Sequence, residues 1–446
     1  MDAFPVQLHR KGLGKAVRLL LPLPESRTGN EEQMHNLTID PDRLWRSIME
    51  TAAIGGTPKG GINRLALTDH DRQVRDWLKS ACEDLGCTVT VDEVGNMFAV
   101  RPGRLDVPPI AVGSHLDTQP TGGKFDGILG VLAGLELLRT LDEAGYETNA
   151  PLMLVNWTNE EGSRFSPAML GSGVHAGVFD RAYADSRTDR QGVTFGEALD
   201  EIGYRGPAKV GSTAFGAMFE LHIEQGPILE AEEKAIGVVT GVQGMRWYEI
   251  ALTGREAHTG STPMSLRRDA LVGAARIIGA VEAIARAHPP GVGTVGLVEV
   301  GPNSRNVIPG HVFLTVDFRH PDDAALDVME KALFATVEEA GRASGLEHAL
   351  RQVWNSPAVA FDPALVDAVR RAADGLGLSW REIVSGAGHD AAYVARIAPT
   401  TMVFVPCAGG LSHNEAEATS YEECRAGAQV LLAAVLDHDR RCYGTA

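Results

Sequence analysis

Two short, almost wholly apolar runs in this chain lead directly into reactive side chains, the first into a histidine and an acid and the second into a pair of acids. Pro109-Ile110-Ala111-Val112-Gly113 is followed by Ser114-His115-Leu116-Asp117, and Leu152-Met153-Leu154-Val155-Asn156-Trp157 by Thr158-Asn159-Glu160-Glu161. Runs this short, without a polar alternate face, are strands covered on both sides, as in parallel sheets packed between helices. A leucine-rich helical stretch from Gly127 to Glu143 separates them. Strand, helix, strand is the grammar of an α/β domain with a largely parallel sheet. Such sheets place their sites beyond the carboxyl ends of strands, where this histidine and these acids fall.

The remaining pattern extends this reading. Asp69–Cys82 has helical spacing, and Cys87–Val100 alternates as a hairpin turning at Gly95-Asn96. Thr400–Val405 is another buried strand, and a helix from Tyr421 to His438 closes the chain. Between them lies a block of different grammar: strands at Arg246–Thr253, Thr294–Val300, Val312–Arg319 and Glu347–Trp354, with helices at Leu266–Ala287 and Asp323–Ala343. The order β-α-β-β-α-β is the ferredoxin-like split unit. The expected domains are a catalytic part at 34–245, an inserted lid or dimerisation domain at 246–355, and a second catalytic part at 356–446. Residues 1–33 lack the periodicity of a packed element and are expected to form a disordered extension, with Met34 as a candidate start.

Composition narrows the function. A formal charge of −17 argues against nucleic acid or an anionic membrane surface as partner. No apolar run reaches the roughly 18 residues of a membrane span. Five cysteines without a C-x-x-C pair give neither a disulfide framework nor a zinc-thiolate site, and are expected as reduced thiols in a cytoplasmic protein.

Five segments carry the chemical signal. In Gly113-Ser-His-Leu-Asp-Thr118, His115 and Asp117 share a face of extended chain, which suits a metal-binding imidazole steadied by a carboxylate. Asp126, in Gly122-Gly-Lys-Phe-Asp-Gly127, reads either as a helix cap or as a carboxylate between two ions. Glu160 and Glu161 are adjacent acids at a strand end, fit for a solvated loop or for a general base beside a metal ligand. His222 in Glu220-Leu-His-Ile-Glu-Gln-Gly226 and His413 in Leu411-Ser-His-Asn-Glu415 complete a nitrogen and oxygen donor set. That set suits zinc, manganese or cobalt better than copper or an iron–sulfur cluster.

With these motifs in this order, the chain from Met34 onward resembles the metal-dependent amidohydrolases of N-carbamoyl amino acids. These are the β-ureidopropionases, N-carbamoyl-L-amino-acid hydrolases and allantoate amidohydrolases of the dinuclear metallopeptidase superfamily. The resemblance implies two divalent ions per subunit, zinc first and manganese or cobalt as alternatives. Asp126 would bridge them, with His115 and His222 on one side and Glu161 and His413 on the other. Glu160 would be the general base, and His258, in Ala257-His-Thr-Gly260, would stabilise the oxyanion. Asn306 and Arg319 on the inserted domain, and Gln225, would bind substrate. The resemblance also implies a homodimer acting on a small N-carbamoyl amino acid.

Within that group, the run Asp117–Asp126 looks closest to β-ureidopropionases, which makes N-carbamoyl-β-alanine the favoured substrate, with N-carbamoyl-L-amino acids and allantoate as alternatives. A peptidase or aminoacylase is the rival among enzymes. A binding protein that has lost catalysis is the rival outside them, and it predicts a broken ligand set, which this chain does not have.

Overall fold

The computed structural model describes residues 37–444. Its larger sheet takes strands from both ends of the chain. All the strands of the described residues, in chain order, begin with β1 (Thr88–Val91), β2 (Met97–Arg101), β3 (Ile110–His115), β4 (Leu152–Trp157), β5 (Ala217–Ile223) and β6 (Ile236–Val242). Then come β7 (Gly244–Thr253), β8 (Ala257–His258), β9 (Val292–Gly301), β10 (Val307–Ile308), β11 (His311–His320) and β12 (Glu347–Ser356), and finally β13 (Val359–Ala360), β14 (Trp380–Ser385) and β15 (Thr400–Val405). The larger, nine-stranded sheet runs β1-β2-β4-β3-β5-β15-β6-β13, with β14 also on β6. Its centre, β4-β3-β5-β15, is parallel, and antiparallel pairings flank it.

The core explains the all-apolar runs. Every residue of β3, β4, β5 and β15 is buried. Helix α1 (Ile128–Glu143) buries nearly its whole circumference, because it packs on β3, β4 and β5 and is itself covered by the closing helix α2 (Tyr421–Tyr443). That closing helix continues five residues past the expected His438.

Residues 244–356 form the second sheet, β12-β7-β11-β9, all antiparallel, in the β-α-β-β-α-β order expected. Tyr248, Ile250, Leu252, Leu314 and Val316 meet Ile277, Val281, Leu333 and Val337 of its two helices. The first of these helices starts at Ala270 rather than Leu266. The Asp269 carboxylate accepts from the amides of Leu271 and Val272 and fixes the start there. All five cysteines are unpaired, four of them buried. No helix among the described residues is long and apolar enough to cross a membrane. The expected extension, 1–33, lies outside the described residues.

Candidate metal centre

The ends of β3, β4, β5 and β15 meet at one place. β3 ends on His115, β5 carries His222 one residue before its end, β4 leads into Glu160 and Glu161, and β15 leads into the loop bearing His413. Asp126 sits at the entrance to α1, between them. The helix is capped at Gly127 without a side-chain hydrogen bond, so the Asp126 carboxylate is free of capping duty.

Its two oxygens face different partners. Oδ1 lies 3.2 Å from His222 Nε2 and 3.7 Å from His115 Nε2. Oδ2 lies 3.5 Å from His413 Nε2, which is also 3.5 Å from Glu161 Oε2. Among the described residues three groups have metal-ligand spacing: His115-Asp126-His222 and Asp126-Glu161-His413, joined through Asp126, and Glu220-His222-His389. The approach is tight: a Cβ on Gly127, whose φ is +68°, would lie 2.3 Å from His115 Nε2.

The two buried imidazoles are oriented alike. Nδ1 of His115 meets the Asp117 carbonyl at 3.0 Å, and Nδ1 of His222 meets the Ile223 carbonyl at 2.9 Å. Each Nδ1 therefore carries its proton to a carbonyl and turns Nε2 toward Asp126. His115 Nε2 is buried without a hydrogen-bond partner, as a ligand nitrogen should be. Burial pushes the His115 pKa down to about 4, which keeps that lone pair available. Burial also acts on His222, but Asp126 outweighs it and raises the pKa to about 9, so a proton and a cation compete for Nε2. Burial raises both glutamates well above the carboxylate range; Asp390 and Glu161 add to it at Glu160, and Asp126 and Asp117 at Glu161. Acids crowded in this way call for a cation. The residues present fit divalent metal ions.

Glu160 stands closer to the first group, its Oε2 3.4 Å from His115 Nε2. Glu161 is tied instead to Gln119, accepting from its amide at 3.0 Å and from its side chain at 2.6 Å. Asp117 works differently from the sequence expectation. Its carbonyl, not its carboxylate, holds His115; the carboxylate is 3.9 Å from that ring and accepts from the amides of Glu160 and Glu161 at 3.2 and 3.3 Å. The strand ends at His115, so the alternation that would aim Asp117 along the imidazole no longer holds.

A cavity of about 840 Å³ opens beside the centre, lined among others by Gln225, His413, Arg319 and Gly386. Gln225 donates from Nε2 to Asp126 Oδ2 at 2.8 Å, and its buried Oε1 has no partner. His258 and Asn306 lie together elsewhere, on and beside the small β8–β10 ribbon, and are not among the residues lining that cavity. His258 Nδ1 accepts from the amides of Gly260 and Ser261. Three buried groups near the centre escaped the sequence reading. Glu220 accepts from Ser114 and from the Ala391 amide, His389 packs its ring 4.5 Å from that of His222, and Glu417 contacts the Asp126 segment. Only Glu220 had a signal in sequence, lying in the Glu220–Gly226 segment.

A mixed α/β fold with paired His/carboxylate groups at its strand ends defines a metallohydrolase scaffold. The chain belongs to peptidase family M20/M25/M40, whose pattern matches residues 111–437, and it is a hydrolase of amide C–N bonds. It is 53% identical over 404 residues to an N-carbamoyl-L-amino-acid amidohydrolase of Rhizobium meliloti, covering 90% of this chain and 97% of that one. It is 36% identical to an N-carbamoyl-L-amino acid amidohydrolase of Geobacillus stearothermophilus, with 88% and 97% covered. The crystal structure of an amidase of the hydantoinase/carbamoylase family from Burkholderia multivorans superposes with a TM-score of 0.88 at 58% identity, covering 90% and 98%.

Proposed function

We propose that this enzyme hydrolyses the carbamoyl C–N bond of N-carbamoyl-L-α-amino acids with two divalent ions held at Asp126. The observation that carries this reading is the split carboxylate: Oδ1 toward His115 and His222, Oδ2 toward His413, with Glu161 beside it. Bound divalent ions supply a water acidified toward a pKa of about 7 and charge for a developing oxyanion. Zinc is the first choice for this donor set, and manganese and cobalt are the alternatives.

The chain's own residues do the rest. Glu160 accepts a proton from the water that attacks the carbamoyl carbon, then delivers one to the departing ammonia. The N-carboxy amino acid left behind loses carbon dioxide. Gln225 Oε1, buried without a partner, is placed to accept from a carbamoyl N–H. Arg319 holds the substrate carboxylate across the cavity. Residues 246–355 serve as a lid, and as the dimerisation surface through the exposed Leu271, Val272 and Ile278 of one helix and Val292, Leu297 and Val298 of β9. In the dimer, His258 and Asn306 would reach the site of a second copy.

The relatives' names favour α-amino acid substrates, and the cavity leaves room for a side chain that β-alanine lacks. N-carbamoyl-β-alanine remains the second reading, carried by the run Asp117–Asp126. The deciding experiment is ammonia release from N-carbamoyl-L-amino acids, N-carbamoyl-β-alanine, allantoate and N-acetyl amino acids. The expected order has N-carbamoyl-L-amino acids first. Turnover of the N-acetyl compounds alone would end the carbamoyl reading.

A further inference from the structure

The loop after β15 carries a second acid that is not among the candidate ligands. Four residues beyond His413, Glu417 turns back into the protein and is only 5% exposed. Its Oε1 accepts from the backbone amides of Phe125 and Asp126, both at 3.1 Å. Its Oε2 lies 2.9 Å from the Ser412 hydroxyl, which is itself 2.9 Å from Asp126 Oδ2. The seat depends on Gly123, where a Cβ would come within 2.0 Å of Glu417 Oε1. Glu417 thus holds Asp126 at its backbone directly, and reaches its carboxylate through Ser412, whose single proton goes to one of the two oxygens at a time.

The two halves of the centre differ in how they are anchored. His115 and His222 stand on buried strands with Nδ1 fixed to carbonyls. His413 is on a loop, its side chain 52% exposed and its backbone at φ +54°. We propose that Glu417 is a positioning residue that fixes Asp126 Oδ2 relative to His413, and so builds the Asp126-Glu161-His413 half of the centre. This rests on the two-ion reading above. Removing Glu417 should therefore weaken one ion and spare the other. Groups behind metal ligands commonly change affinity or activity by about 10–100-fold when removed.

The test is zinc binding to metal-stripped enzyme, followed by competition with a chromophoric chelator, with kcat and KM measured on the reconstituted protein. Wild type should bind two ions in two affinity classes. Glu417→Ala should keep the tighter class, weaken the other by about 10–100-fold, and lose kcat in proportion at limiting zinc with little change in KM. Glu417→Gln should recover most of that loss. Its Oε1 still accepts both amides, and its Nε2 donates to Ser412, which then donates to Asp126. Ser412→Ala cuts only the second link and should weaken the same ion by a smaller factor; it carries the test if Glu417→Ala does not fold. Equal binding of both ions by wild type, Glu417→Ala and Ser412→Ala would overturn the assignment, as would equal weakening of both classes. A wild type that binds a single ion would instead overturn the two-ion reading.

Discussion

Arg319 donates from Nη1 to the carbonyl of Gly386 at 2.8 Å, so a strand of the four-stranded sheet reaches the loop that follows β14. Its Nε and Nη2 are meanwhile held by Asp317, two residues back on the same face. The guanidinium is thus aimed across the cavity before substrate arrives. Arg319→Ala should lower kcat/KM by about 10–100-fold, the loss expected for a hydrogen bond to a charged group. Arg319→Lys should restore little, since an ammonium cannot present the two parallel donors. The control is an analogue with the carboxylate replaced by a neutral amide, on which wild type and Arg319→Ala should be equally poor. Equal losses on both compounds would make Arg319 structural.

Stripping metal should abolish turnover, and added zinc, manganese or cobalt should restore it. Melting temperature should rise with free metal, because an ion that binds only the folded state adds about 4 kcal/mol at a thousand times its Kd. His115→Ala, Asp126→Ala, Glu161→Ala, His222→Ala and His413→Ala should each lose metal as well as activity, read by elemental analysis. Full activity of metal-free enzyme is the result that rules this out.

Glu160→Gln should keep its metal and lose kcat. The amide has nearly the shape of the acid but no longer accepts the proton, and general acid–base catalysis contributes roughly 10²–10⁴-fold. Glu161→Gln should instead lose metal. If Glu160→Gln keeps normal kcat and Glu161→Gln keeps its metal, the two roles are exchanged.

Asp117→Ala removes the acceptor for two backbone amides, those of Glu160 and Glu161. Each buried donor left unsatisfied costs about 1–3 kcal/mol, so melting temperature should fall. The glutamates should also lose their placement, with activity down about 10–100-fold. His115 should keep its tautomer, since the carbonyl that holds Nδ1 remains; an imidazole NMR signal that moves to the other tautomer would contradict this.

The sequence was most informative where chemistry and element ends coincide. His115, Asp126, Glu160, Glu161, His222 and His413 lie in short segments beside β3, α1, β4, β5 and β15, and the structure gathers all six. The split unit was legible in β7 and β11, which alternate along one buried face. Asp117 was misdirected because the alternation rule was carried one step past the strand's end. Glu417 was invisible because its partners are backbone amides at Phe125 and Asp126, and hydrogen bonds to amides leave no mark on the residues that donate them. His258 and Asn306 sit apart from the cavity in one chain, a separation that motif order does not reveal.

The place of β15, between β5 and β6, has a consequence for biosynthesis. Chains emerge from the ribosome amino-terminus first, and non-local strand pairing is slow because loop closure comes before the reward. His115, Asp126 and His222 are all made well before the strand that must wedge into the middle of the sheet. His413, and Glu417 that accepts from the Asp126 amide, follow that strand in the chain. Completing the cluster around Asp126 therefore waits on the insertion of β15 between β5 and β6.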